Sequence, residues 1–104
     1  MERYKVDFGS MPWEQPAPGV RFKAYEQDGR RLRLAQFTKD FVEADWCTRG
    51  HAGYVLEGKL EVDFHGQVVT LSPGDGLFIR PGHEHRHKAR VLTDFVRVVL
   101  VEDV

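Results

Sequence analysis

The residues that could do chemistry crowd into one stretch. From Gly74 to Val91 the chain reads GDGLFIRPGHEHRHKARV, which holds three of its five histidines, His83, His85 and His87. Imidazole is the commonest metal-ligating side chain and the one whose ordinary pKa lies close to neutrality. Several imidazoles on one surface therefore point to metal binding or proton transfer. Here Arg86, Lys88 and Arg90 alternate with His85, His87, Ala89 and Val91. In a strand this sends the basic residues to solvent and the two imidazoles inward with the apolar pair. His83 follows the Pro81-Gly82 turn, where an exposed ring is expected, and His65 sits with Gly66 at a hairpin tip. The single cysteine, Cys47, has no disulfide partner within the chain, so it is either a buried small hydrophobe or a functional thiol.

Short strands are the elements that must position these residues. Val20, Phe22 and Ala24 alternate with Arg21, Lys23 and Tyr25, and Gln27-Asp28-Gly29 supplies turn chemistry before Leu32 and Leu34 alternate with Arg31 and Arg33. A second strand pair runs from Tyr54 through Leu60, Val62 and Phe64, turning at His65-Gly66. Ser72 to Gly76 form another turn, followed by a short strand at Leu77, Phe78 and Ile79, then the histidine strand and a last strand from Phe95 to Val101. Residues 38–46, TKDFVEADW, are the only segment where a helical turn fits, and a strand or irregular path to Cys47 fits equally well. Residues 1–19 carry Pro12, Pro16 and Pro18, which predicts an extended arm, with Met11 and Trp13 in need of a surface to cover. Residues 20–104 are then one domain, an all-β sandwich or barrel.

Composition narrows the function classes. A chain of 104 residues with 41% hydrophobic and 30% charged residues can bury one core, and its net charge of -1 creates no field to draw nucleic acid or an anionic membrane. No apolar run approaches the ~20 residues of a membrane span, and the N-terminal MERYKVDF lacks the apolar core of a signal peptide, so a cytoplasmic location is expected.

With the strands placed, the chain resembles a small single-domain cupin, an RmlC-like jelly-roll barrel. The family's second motif, G-x5-P-x-G-x2-H, aligns with Gly74, Arg80, Pro81, Gly82 and His85; Arg80 stands where the family has proline, and Ala89 where it has a trailing asparagine. Its first motif, G-x5-H-x-H-x3/4-E-x6-G, is anchored by Gly58, which puts His51 at the glutamate position and Cys47 and Asp45 at the two histidines. The longer spacing would instead select Trp46 and Ala44. The resemblance spans about residues 32–101 and implies a metal site of Cys47, His51 and His85. One divalent ion (Zn, Fe, Mn, Ni or Cu) suits a thiolate with two imidazoles. His87, Asp45, Tyr54 and Trp46 are further pocket candidates: His87 as ligand, proton shuttle or core histidine, and Asp45 as carboxylate ligand or solvated loop residue. Cupins include isomerases, dioxygenases, decarboxylases and ligand-sensing domains. The resemblance therefore implies either a metal-dependent enzyme, an oxygenase or isomerase on a small polar molecule, or a metal-free module that binds a small ligand. Pairing into a homodimer is expected, since a small barrel leaves strand edges and the arm seeks a surface.

Overall fold

The computed structural model describes residues 4–104. Strand β1 (Glu14–Ala17) leads into β2 (Val20–Gln27) and β3 (Arg30–Thr38), joined by a tight hairpin at Asp28-Gly29. Both turn residues have positive φ, 54° and 77°, the backbone that a two-residue hairpin needs and that glycine adopts without strain. Next come β4 (His51–Glu57), β5 (Leu60–Phe64), β6 (Gln67–Leu71), β7 (Gly76–Ile79), β8 (Lys88–Val91) and β9 (Phe95–Asp103). They form a six-stranded sheet in the order β1-β2-β3-β9-β4-β7 and a three-stranded sheet in the order β6-β5-β8. Every pairing between these strands is antiparallel. The last strand inserts between β3 and β4, as a jelly roll requires. Between the sheets lies a core of Ala35, Val55, Leu60, Val62, Leu71, Val91, Val96, Val98 and Leu100.

Strand parity explains what enters the barrel beside that core. Along β9, Val96, Val98 and Leu100 point inward, and the same alternation buries Glu102. β3 lies in register with it, Arg31 opposite Glu102 and Arg33 opposite Leu100. Arg31 and Arg33 thus share the inner face with Ala35 and Phe37, while Leu32 and Leu34 lie on the outer face. An ordinary half-exposed sheet has the reverse arrangement. A buried carboxylate provides the local reason, because both guanidinium groups converge on it.

The histidine strand differs from the sequence reading, whereas the segment from residue 39 to 46 takes the irregular one of its two paths and runs to an isolated bridge between Cys47 and His87. Short 3-10 turns occur at Phe8–Ser10 and His83–His85, so the histidine strand begins only at Lys88. Of the expected arm, Glu14–Ala17 join the sheet as β1, and Trp13 packs against its own chain, with the Arg21 guanidinium 4.2 Å and the Lys23 ammonium 4.8 Å from its ring centroid. Among the described residues, no helix is long and apolar enough to cross a membrane.

Candidate metal centre

Two strand ends and one cross-bridge bring the reactive side chains together. His51 opens β4 on the parity that buries Val55. Cys47 precedes it and is fixed by a reciprocal backbone pair: its N–H donates to the His87 carbonyl at 2.9 Å, and the His87 N–H donates to the Cys47 carbonyl at 3.0 Å. His87 keeps step with Ala89 and Val91 and is only 5% exposed. The candidate ligand atoms of Cys47, His51 and His87 lie within 4.8 Å of one another. Cys47 Sγ is 3.7 Å from His51 Nε2, and the two imidazole rings meet edge to face at 5.4 Å.

The surroundings fix which ring nitrogens face inward. His51 Nδ1 lies 2.6 Å from Glu102 Oε2. Arg31 Nε donates to Glu102 Oε1 at 3.2 Å and Arg33 Nη2 to Oε2 at 3.0 Å. Burial alone would push the Glu102 carboxyl up, but the His51 hydrogen bond and the nearby Arg33 charge outweigh it and hold the pKa at about 2. Glu102 is therefore an acceptor, and His51 Nδ1 carries the proton. His87 Nδ1 lies 3.1 Å from the His85 carbonyl, which can only accept. In both rings Nε2 remains for the Cys47 side.

The thiol responds to the same geometry. Hydrogen bonds from His51 and then His87 lower the Cys47 pKa to about 5 against the effect of burial. Burial lowers the His51 pKa, yet the contacts with Cys47 and Glu102 prevail and raise it to about 9. His87 is also raised, chiefly by Cys47 and against burial. Without an ion, the pair is a thiolate and an imidazolium.

A cavity of about 330 Å³ opens from this cluster into the barrel. Its walls are apolar, including Val20, Phe22, Phe37, Leu60, Leu71 and Leu77, and its polar end carries Glu43 and Arg49 as well as the cluster. Glu43 Oε1 accepts the Ala89 N–H at 2.8 Å. Burial raises the Glu43 pKa, opposed by that hydrogen bond.

Of the residues singled out in the sequence, Cys47, His51 and His87 come together and His85 does not. His85 lies in the 3-10 turn with its side chain 41% exposed, its Nε2 3.8 Å from the Glu84 carboxylate. Alternation cannot be carried back through a turn, so His87 enters and His85 contributes only its carbonyl. Asp45 is exposed and lies outside the cavity lining. Trp46 packs outside the cavity, the Lys88 ammonium 4.8 Å and the Arg86 guanidinium 5.8 Å from its ring centroid. Tyr54 has the outward parity of β4 and is 50% exposed. Sequence reasoning missed Glu102, Arg31, Arg33, Glu43 and Arg49.

A metal ion fits the donor set on geometric grounds. Two ligands at ~2.3 Å for sulfur and ~2.0 Å for nitrogen in a tetrahedron stand ~3.5 Å apart, close to the 3.7 Å between Cys47 Sγ and His51 Nε2. Each imidazole also has the Nδ1 acceptor that metal-bound histidines characteristically use.

Comparison with known proteins agrees with this architecture. The family model described as "Cupin domain" matches residues 48–101. No curated protein matches the sequence. Among solved structures, KdgF from Halomonas sp. superposes with a TM-score of 0.75 at 25% identity, covering 94% of this chain and 91% of that one. An RmlC-like cupin from Shewanella frigidimarina gives 0.75 at 17% identity over 98% and 91% of the two chains. A Rhizobium leguminosarum protein of unknown function gives 0.78 at 17% identity over 99% and 98%. The matched residues take in His51 and His87, and the chain belongs to the cupin domain family.

Proposed function

We propose that this cupin is a metal-dependent enzyme, a Lewis-acid isomerase acting by proton transfer on a small polar molecule. The observation that carries the reading is that both inward imidazoles have Nδ1 committed to an acceptor outside the cluster and Nε2 left to face Cys47 Sγ. Cys47, His51 and His87 would hold one divalent ion of the zinc type, which polarises a substrate oxygen when bound. Glu102 orients His51 and keeps its tautomer. Glu43, anchored through one oxygen and raised in pKa by burial, is the group placed to take a proton from a substrate in the cavity and return it. The apolar walls keep bulk water from the reacting atoms. This proton-transfer group favours an isomerase over an oxygenase, and a reducing compartment such as the cytoplasm suits the free thiol.

Metal analysis of untagged protein, purified without chelators, should find one divalent ion per chain. Less than a tenth of that, with no uptake on adding zinc, would overturn the metal reading. A second reading has its own support. Cys47, His51 and Glu102 already balance one another as thiolate, imidazolium and carboxylate, so a metal-free binding module could keep the same cluster. Tight small-molecule binding by protein that takes up no zinc would favour it.

We also propose that the chain pairs with a second copy through the outer face of the six-stranded sheet. Register aligns Tyr25, Leu32, Val101, Ala52 and Phe78 in one row across five strands, and Leu34, Val99 and Tyr54 in the next. Phe78 is 83% exposed. A two-fold axis lets the same apolar rows cover each other.

A further inference from the structure

The charges around the cavity point to the kind of molecule it takes. Arg31, Arg33 and Arg49 line it against two carboxylates, Glu43 and Glu102. Arg31 and Arg33 both engage Glu102. The Arg49 guanidinium has no hydrogen-bond or ion-pair partner among the described residues, and Arg49 lines both the cavity and an adjoining cleft that shares His51, Ile79 and Glu102 with it. That cleft also carries Arg30 and Arg80, with Glu102 and Asp103 as its acidic side chains. With a divalent ion on the Cys47 thiolate, the positive charges around the cavity exceed the negative ones by two. The remaining lining is mostly aliphatic and aromatic, so one end of the space favours an anion and the other an apolar body.

We propose that the ligand is a small carboxylic acid with an apolar body, about ten non-hydrogen atoms in all on a share of ~30 Å³ each, its carboxylate held by Arg49. The inference rests on the reading of this cavity as the functional site. A carboxylate matches the planar guanidinium fork, and such a charge-assisted contact is among the stronger hydrogen bonds. Arg49 is exposed, so removing its charge leaves the core intact. Its position beside the cluster lets it act as a positioning residue that aims the acid at the metal end.

The test uses matched acid and primary-amide pairs of near-equal shape: 4-methylpentanoate, hexanoate, benzoate and phenylacetate, each against its amide. Binding is measured by calorimetry on zinc-loaded and metal-free protein, with zinc content measured separately. The expected result is at least one pair in which the acid binds about tenfold tighter than the amide, a preference that Arg49→Met abolishes by weakening the acid while zinc content stays unchanged. Equal binding within every pair, absence of binding by all eight compounds, or a preference that survives Arg49→Met would overturn the proposal. If zinc does not load while the Arg49-dependent preference persists, the metal reading falls and this inference stands.

Discussion

Glu102 is the side chain on which the site's electrostatics turn. Its carboxylate sits 2.6 Å from His51 Nδ1 and accepts hydrogen bonds from Arg31 and Arg33, with only 1% of the side chain exposed. Removing one partner from a buried charged network costs roughly 3 kcal/mol or more, because the others are left desolvated and unpaired. Glu102→Gln should therefore lower the unfolding free energy by about 3 kcal/mol in urea, and a loss under about 1 kcal/mol would contradict this assignment. Its pKa of about 2 lies below the ordinary carboxylate range. The stability it contributes is complete above that range and lost as pH falls toward 2. The thiolate–imidazolium pair has a window of its own. Cys47 at about 5 and His51 at about 9 keep both groups charged between those values in metal-free protein. The His51 contribution is full below its ordinary pKa and fades as pH rises toward 9; the Cys47 contribution is full above its ordinary pKa and fades as pH falls toward 5. The ultraviolet absorbance of the thiolate should accordingly appear with a midpoint near 5, and a midpoint in the ordinary range near ~8.5 would mean that the histidines do not act on it. At this scale the sequence was partly legible. Glu102 continues the stripe of Val96, Val98 and Leu100, which parity alone could have extended by one step. His87 shares the parity of Ala89 and Val91, but the family motif pointed to His85. Glu43 gave no signal, since nothing local brings a residue of an irregular segment against Ala89.

At the scale of elements, β4 and β9 matter most, because together they carry His51 and Glu102. They approach closely at Gly53, where an added Cβ would press on the Val99 carbonyl and stand 3.0 Å from Leu100 Cδ2. The backbone atoms of a paired strand cannot give way without breaking the ladder, so Gly53→Ala should cost about 3 kcal/mol by denaturant titration. Gly29→Ala is the control. That glycine sits in the β2–β3 turn with φ +77° and nothing within 4 Å, so the cost is only the backbone strain, about 1 kcal/mol. Equal costs for the two variants would contradict the close approach. The hairpins at Asp28-Gly29 and His65-Gly66 were legible because turn chemistry and alternation coincide there. The segment after Thr38 was not, because its path depends on the long-range bridge to His87. Arg31 and Arg33 were misleading for a related reason: their alternation with Leu32 and Leu34 was clear, but which face was buried depended on a carboxylate some 70 residues away, Glu102.

For the whole molecule, the inverted face of β3 links the interior to the surface. Turning the arginines inward leaves Leu32 and Leu34 outside, in the rows that Tyr54 and Phe78 extend. In light scattering the protein should give twice its 12.0 kDa chain mass, and Phe78→Glu should restore the monomer while keeping the sheet spectrum in circular dichroism. A wild-type monomer at micromolar concentration would contradict the pairing. The barrel itself was legible from its short strands, its glycine and proline turns and the two motif phrases, whereas the meeting of its sheets at one ligand cluster required three-dimensional structure. That cluster draws Cys47 from a loop, His51 from one sheet and His87 from the approach to the other, so a spectrum of the centre tests the account most directly. Cobalt(II) added to the metal-free protein should give an intense thiolate charge-transfer band with tetrahedral visible absorption at one equivalent, lost in His87→Ala and retained in His85→Ala. Absence of the band in the wild type, or its loss in His85→Ala with retention in His87→Ala, would contradict a centre built on Cys47, His51 and His87.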